Sequence, residues 1–436
     1  VSCWCWAHPS TLNPPLKTIV KVPAVWAGWA NARVLLIALL LGNGMPGGDL
    51  HYYLEGVYGD DSSAMTEYPQ PGTWPSVVLA WLTGDNADNY RVAFTVMMLL
   101  ADALFLALLL RNNDGRRSVF AAAWFWVFFG TAAGHVFVWR LDLYPALLVA
   151  GAGGLLATYP RIASALLAWA TTVKLWPGVL AAGLVGAARS RTTWQRLAAF
   201  CGTIVGTCLA VAALTGVDRL VSPLSYQEAR GLQIESLAAT WHVLQAHRHP
   251  GTWEIGYAAS KSYEITGPGV GTTLTLSTIA MVCALVWMVA VAASHLLRGG
   301  WDAHSTVVFF VAAILLLIAT NKVFSPQYIV WLGPILAVAI RAEIPRETPE
   351  EKRLAPDRTG LRTIMAILAV AAAALGTYIY PYGYDYVWLH LGENLRPVYA
   401  LVVRNLLILS MTLTALMWHR LEFTAARTAA QSTRAD

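Results

Sequence analysis

Eleven apolar runs, at roughly 24–42, 91–110, 118–133, 143–158, 162–188, 197–215, 270–297, 304–320, 326–340, 363–380 and 398–418, set the strongest constraint on this chain. Most approach the roughly 20 residues that a helix needs to cross a bilayer. Strand-type alternation is absent, and in lipid a long Ala/Leu/Val run satisfies its backbone only as a helix. Of 436 residues, 57% are apolar and 13% charged, with a mean hydropathy of +0.52. A soluble domain carries charge on roughly a quarter of its positions. Too little polar side chain is present to cover a water-facing surface, so a soluble enzyme is excluded, and so is intrinsic disorder. The expected fold is an all-α polytopic membrane helix bundle of about eleven to thirteen spans, one domain over residues 1–436.

Charge supplies the orientation. A net charge of +5 and a pI near 8.9 would indicate a nucleic-acid surface only if the bases clustered, and they are scattered; no nucleic-acid partner is expected. With the N-terminus in the cytosol and one crossing per run, the cytosolic connections hold 19 Lys and Arg against 9 acids, and the external ones 9 against 15. That is the positive-inside bias, and it supports this orientation; a multi-pass protein of the plasma membrane is expected. Residues 43–90 and 216–269 become two long external loops, with short ones near 134–142, 321–325 and 381–397. Residues 342–361 read as a charged cytosolic linker. The nineteen tryptophans and seventeen tyrosines suit interfacial belts. Residues 1–20 lack the pattern of a cleaved signal peptide. Cys201, Cys208 and Cys283 fall in apolar runs as packing residues, and Cys3 and Cys5 have no second pair at zinc spacing.

The run 162–188 breaks the parity. Arg161 and the group Arg189, Arg191, Arg196 all carry the cytosolic signature, yet one run separates them. Lys174 and Pro177 stand at its middle, and proline removes a helix donor. Two short helices meeting there and returning the chain to the cytosol are expected. Arg33, Asp102 and Arg404 lie within spans, where an ionised side chain is costly and faces a cavity or a partner. Asp102 is then either the partner of Arg404 or a lone protonated acid.

Chemistry concentrates in the first external loop, GNGMPGGDLHYYLEGVYGDD (42–61). Leu50, Tyr53, Leu54 and Val57 share one face of a short helix and His51 and Glu55 another, as in a helix lying flat in the headgroup layer. Asp49 at its start has two readings, a helix N-cap or a general base at the water–lipid boundary. In TEYPQPGTWPS (66–76), three prolines predict a stiff, extended path, either a plain connector or a wall holding Glu67 and Tyr68 against a substrate. Arg140 and Asp142 in WRLDLYP are placed to pair with each other. Lys174 in TTVKLWPG, Lys322 and Gln327 in NKVFSPQY, and Arg230 with Glu235 in RGLQIES add polar groups at the external helix ends. A lone lysine at such an end is normally a snorkelling anchor, but several cations converging on one face suit a lipid phosphate. Asp60 and Asp61 could bind a cation only weakly; no metal cage is visible and no cofactor is expected.

Taken in order, GDLHYYLEG (48–56), EYPQPGTWP (67–75), WRLDLYPALLVA (139–150), TTVKLWPGVL (171–180), RGLQIESLAAT (230–240) and NKVFSPQYIVWLGP (321–334) resemble the multi-spanning GT-C glycosyltransferases. The likeness is to the actinobacterial family 87 enzymes, which include polyprenol-phosphate-mannose-dependent α-1,2-mannosyltransferases and a related arabinofuranosyltransferase. The resemblance implies a membrane glycosyltransferase whose partners are a polyprenyl-phosphate sugar, a glycolipid or lipoglycan acceptor and the membrane lipids. It implies an external active site, inverting transfer, Asp49 as base, and Lys174, Lys322, Arg230 and Arg404 as candidates for the donor phosphate. Arg140, His51, Tyr68 and Gln327 complete the candidate substrate-binding set. Related enzymes also use a histidine near the late external loop, where this chain has Asn321-Lys322. Arabinofuranose transfer is the alternative within the same chemistry, and a polytopic transporter or flippase, or a non-catalytic scaffold, the alternatives outside it.

Overall fold

The computed structural model describes residues 16–42, 47–61, 64–112, 115–220, 222–223, 230–342 and 358–435. Most of the 342–361 linker, together with Cys3 and Cys5, lies outside the described residues. The first half comprises α1 (Leu16–Gly42), α2 (Gly48–Tyr58), α3 (Gln70–Thr83), α4 (Ala87–Leu110), α5 (Arg117–Ala132), α6 (His135–Val138), α7 (Leu143–Leu155) and α8 (Pro160–Val173). A 3-10 segment, Trp176–Leu184, then leads to α9 (Arg191–Thr215) and α10 (Thr240–Arg248). Strands β1 (Glu254–Tyr257) and β2 (Tyr263–Thr266) form an antiparallel hairpin. The chain continues through α11 (Val270–Arg298), α12 (Ala303–Thr320), α13 (Ile329–Arg341), α14 (Thr359–Thr377), α15 (Asp385–Trp388) and α16 (Arg396–Ala435).

Among the described residues, seven helices are long and apolar enough to cross a membrane: α1, α4, α9, α11, α12, α14 with its following turn, and α16. The protein is therefore a helical, multi-pass membrane protein. Four of the eleven apolar runs form shorter pieces. At 1.5 Å per residue, the 13 residues of α7 or α13 span about 20 Å, short of a hydrocarbon core about 30 Å thick. These helices can be short because they are wrapped by other helices. Every residue of α13 is buried, whereas only 6% of the apolar window of α9 is covered by the rest of the chain. Uniform hydrophobicity thus has two causes here, a lipid environment outside and a protein environment inside.

The run 162–188 is broken where Lys174 and Pro177 indicated. α8 ends at Val173, Lys174 is extended (φ −154°, ψ 136°), and the chain returns as the 3-10 segment. Both ends of this excursion meet on one face, where Arg161 donates to Gln195 at 3.2 Å and the Ala188 amide donates to the Leu296 carbonyl at 3.0 Å. Arg341 donates to the carbonyls of Leu109 and Arg111, and Arg358 pairs with Glu422 at 2.6 Å, on that same face. The connections 133–142, 230–269, 321–328 and 378–395 gather at the opposite end of the bundle with α2 and Lys174.

The buried charges take partners other than those expected. Asp102 is held by Arg33 through Nε at 2.7 Å and Nη2 at 3.1 Å, and by Trp29 Nε1 at 2.7 Å. Arg33 Nη1 also donates to the Val127 carbonyl and to Thr131 Oγ1, each at 3.0 Å, so one guanidinium joins α1, α4 and α5. Arg404 instead pairs with Glu235 at 2.6 Å.

Three further expectations are corrected. Gln70–Thr83 is helical rather than extended: Pro69 is the N-cap and Pro71 falls in the first turn, where the amide would have no partner anyway. The apolar face of α2 rests on protein rather than on lipid, with fully buried Tyr53 stacked on Phe94 of α4 at 5.9 Å between ring centroids. The hairpin escaped notice because two four-residue strands carry too few positions to show a period.

Replacing Asp102 by Leu leaves Arg33 buried without a counter-charge and should cost about 3–5 kcal/mol. A lowered unfolding midpoint in detergent would register this, and the double variant Arg33→Met/Asp102→Leu should recover most of it. A single variant as stable as the parent would show that the pair does not hold these helices.

Candidate active site

The site is built around the break after α8. Because Lys174 is extended, its ammonium leaves the helix and reaches Asp142 Oδ1 at 2.6 Å. Trp331 Nε1 donates to the same oxygen at 2.6 Å, and Asp142 itself is 0% exposed. The ammonium also lies 5.0 Å from the Tyr68 ring centroid, 5.8 Å from Tyr328 and 5.7 Å from Trp331, within cation–π range. Tyr328 and Trp176 both stack on Trp331, at 3.9 and 4.8 Å between ring centroids, which fixes this aromatic cage.

Arg140 and Asp142 do not pair with each other. Asp142 turns to Lys174, while Arg140 forms an ion pair with Asp49 and lies 3.5 Å from the Tyr380 hydroxyl. Asp49 is in the first turn of α2 but is not its cap: Gly47 holds that position, and no side chain caps the helix. Its carboxylate, 31% exposed, stands at the edge of a cavity of about 380 Å3.

Six of the nine residues singled out from sequence line that cavity: Asp49, Tyr68, Arg140, Lys174, Arg230 and Gln327. The Gln327 amide oxygen is buried and accepts no hydrogen bond from the described residues. Lys322 lies outside the wall; its ammonium donates to the Arg230 carbonyl, and its own carbonyl accepts from the Gln233 amide at 3.1 Å, so it seats the loop that carries Arg230. Arg404 lies behind the wall, 1% exposed, with its guanidinium 4.5 Å from the Phe324 ring centroid. There it holds Glu235 through both side chain and backbone. His51 is exposed and lines no part of the cavity.

Sequence reasoning missed the rest of the wall: Tyr52, Gln233, the hairpin turn, and Tyr328, Tyr380 and Tyr384. The tyrosine density of YIYPYGYDY (378–386) was the available signal. Tyr52 donates to Glu67 Oε2 at 2.9 Å and accepts from the Met65 amide at 2.7 Å, and Tyr53 meets Tyr68 at 3.3 Å between hydroxyls. Burial pushes the Tyr68 and Tyr384 phenols well above their ordinary range, so both stay neutral hydrogen-bonding groups. Asp61 faces Lys261 at 3.6 Å. Among the described residues, no three His, Cys, Asp or Glu side chains gather at metal-ligand range.

This geometry suits an anion. Arg140, Lys174 and Arg230 approach one hollow from three elements, and Asp49 is the carboxylate beside them. No protein-family model, curated protein sequence or solved structure matches the chain.

The end of α8 that carries Lys174 is set by contact with α3. A Cβ on Gly72 would collide with the Val173 carbonyl oxygen, whereas one on Gly151, inside α7, meets only Leu166 at 3.9 Å. Alanine in a helix interior normally gains about 0.5–1 kcal/mol over glycine. Gly151→Ala should therefore hold or raise the unfolding midpoint and Gly72→Ala should lower it; equal midpoints would show that the close approach does not constrain Lys174.

Proposed function

We propose that the protein is a membrane glycosyltransferase of the GT-C type, resembling family 87. On this reading it moves a sugar, mannose in the first instance, from a polyprenyl-phosphate donor to a glycolipid or lipoglycan acceptor on the outer face. The observation that carries the reading is the Asp49–Arg140 pair at the rim of a cavity whose other cations are Lys174 and Arg230. A departing phosphate needs preplaced positive charge, and an attacking hydroxyl needs a carboxylate beside it.

While Arg140 holds Asp49, the carboxylate is engaged by the guanidinium and not placed to receive a proton. Donor phosphate entering among Arg140, Lys174 and Arg230 competes for Arg140 and frees Asp49. Asp49 then takes the proton of the acceptor hydroxyl as its oxygen attacks the anomeric carbon. The bond from that carbon to the phosphate oxygen breaks, and polyprenyl phosphate leaves with the electron pair. Attack opposite the leaving group inverts the anomeric configuration. Arabinofuranose on the same carrier would use the same cations and the same base. The helix break at Lys174 is a feature that transporters share, but this cavity lies at helix ends and loops rather than midway along the spans.

The test is incorporation of labelled sugar into lipid by the protein in vesicles, offered polyprenyl-phosphate mannose and polyprenyl-phosphate arabinofuranose in turn. Asp49→Asn should lower turnover by about 10²–10⁴-fold with folded protein retained. Unchanged turnover removes Asp49 as the base, and no transfer from either donor by the parent protein defeats the reading.

A further inference from the structure

The cavity has two chemically different walls. One comes from the ends and connections of the helical bundle and presents Arg140, Lys174 and Arg230. The other comes from the hairpin turn and the 64–68 loop, and presents Ser260, Ser262, Tyr257, Tyr263 and the carboxylate of Glu67. Glu264 stands behind the turn and accepts from Ser260 at 2.5 Å. Lys261 also lines the second wall, where it faces Asp61; with Glu67 in the lining and Glu264 behind it, that wall lacks the excess of positive charge with which the first draws an anion. The second wall suits a neutral molecule that donates several hydrogen bonds to carboxylate and hydroxyl oxygens. It also offers ring faces: Tyr257 and Tyr263 lie 5.2 Å apart edge to face, and Tyr263 lies 4.3 Å from Trp388.

The turn is held in place at a conformational cost. The Ala258 amide donates to the Ser262 carbonyl and the Lys261 amide to the Ala258 carbonyl, each at 2.9 Å, closing a three-residue loop whose last residue, Lys261, has φ +53°. Glycine is the usual occupant of that left-handed position, so a lysine there is conformationally strained. The Lys261 side chain lies 4.3 Å from the Tyr52 ring centroid and 3.6 Å from Asp61 Oδ2. It ties the hairpin to α2, the helix that carries Asp49.

We infer that the hairpin turn with Glu67 is the acceptor subsite, and that it takes a neutral polyol headgroup such as a sugar. The acceptor hydroxyl would arrive at Asp49 from the hairpin side, and the donor phosphate from the cationic side. This assignment rests on the transferase reading for its biological meaning, but it is tested by binding.

Octyl α-mannoside and farnesyl phosphate serve as neutral and anionic probes of the full chain in nanodiscs, with binding read by calorimetry. Glu67→Gln and Ser262→Ala should weaken octyl mannoside by about tenfold or more and leave farnesyl phosphate within about twofold. Lys174→Ala should do the reverse. Lys261→Gly relieves the strained turn and so preserves the hairpin; it too should weaken only octyl mannoside. Loss of both probes together, no effect of the hairpin variants, or no octyl mannoside binding by the parent protein overturns the assignment. Separation of the probes without sugar transfer would leave the two walls standing and remove the transferase reading. Transfer in which hairpin variants raise KM for the donor rather than the acceptor would do the opposite.

Discussion

The junction of Lys174 with Asp142 is the contact on which the rest of the architecture turns. A helix cannot stop inside an apolar bundle without leaving polar backbone behind, nor can an ammonium enter one without a counter-charge. Asp142 supplies the charge from the start of α7, Trp331 supplies a further donor from α13, and the aromatic rings of Tyr68 and Tyr328 cover what remains. With these in place, α8 ends at Val173 and the chain can return as a 3-10 segment. An unbroken crossing would have carried Arg189, Arg191 and Arg196 to the cavity end, away from the face where Arg161 meets Gln195.

The same requirement explains which parts of the molecule were visible in the sequence. Where a single segment determines the outcome, residue pattern sufficed. The break at Lys174–Pro177 follows from proline chemistry, and the buried face of α2 follows from the spacing of Leu50, Tyr53 and Leu54. Where two distant segments decide together, it did not. Arg140 and Asp142 are two residues apart, yet each finds its partner elsewhere, in Asp49 and in Lys174. Asp102 could be recognised as needing a cation, but nothing local distinguishes Arg33 from Arg404; packing of α1 against α5 brings the former within reach.

Length and composition also conceal depth. α7 and α13 are at least as apolar as the lipid-facing helices, so they read as spans although they are core helices enclosed by longer ones. The hairpin posed the opposite problem. Its strands are too short for a pattern, and its importance comes from position: the turn at Lys261 is docked against Tyr52 and Asp61, which places serines and tyrosines beside a carboxylate that was identified from its own loop alone.

Exposure separates the ion pairs into two kinds. Asp102, Asp142 and Glu235 are each 0% exposed, so parting any of them from its cation would strand a buried charge at a cost of several kcal/mol. These pairs set geometry. Asp49 differs in being 31% exposed and open to the cavity, so solvent can replace what Arg140 provides to it, while the buried Arg140 can exchange Asp49 only for another anion. The carboxylate able to change partners is thus held between two walls by pairs that cannot. That division of labour is what a site needs if its charges are to be rearranged by a ligand while its framework stays fixed.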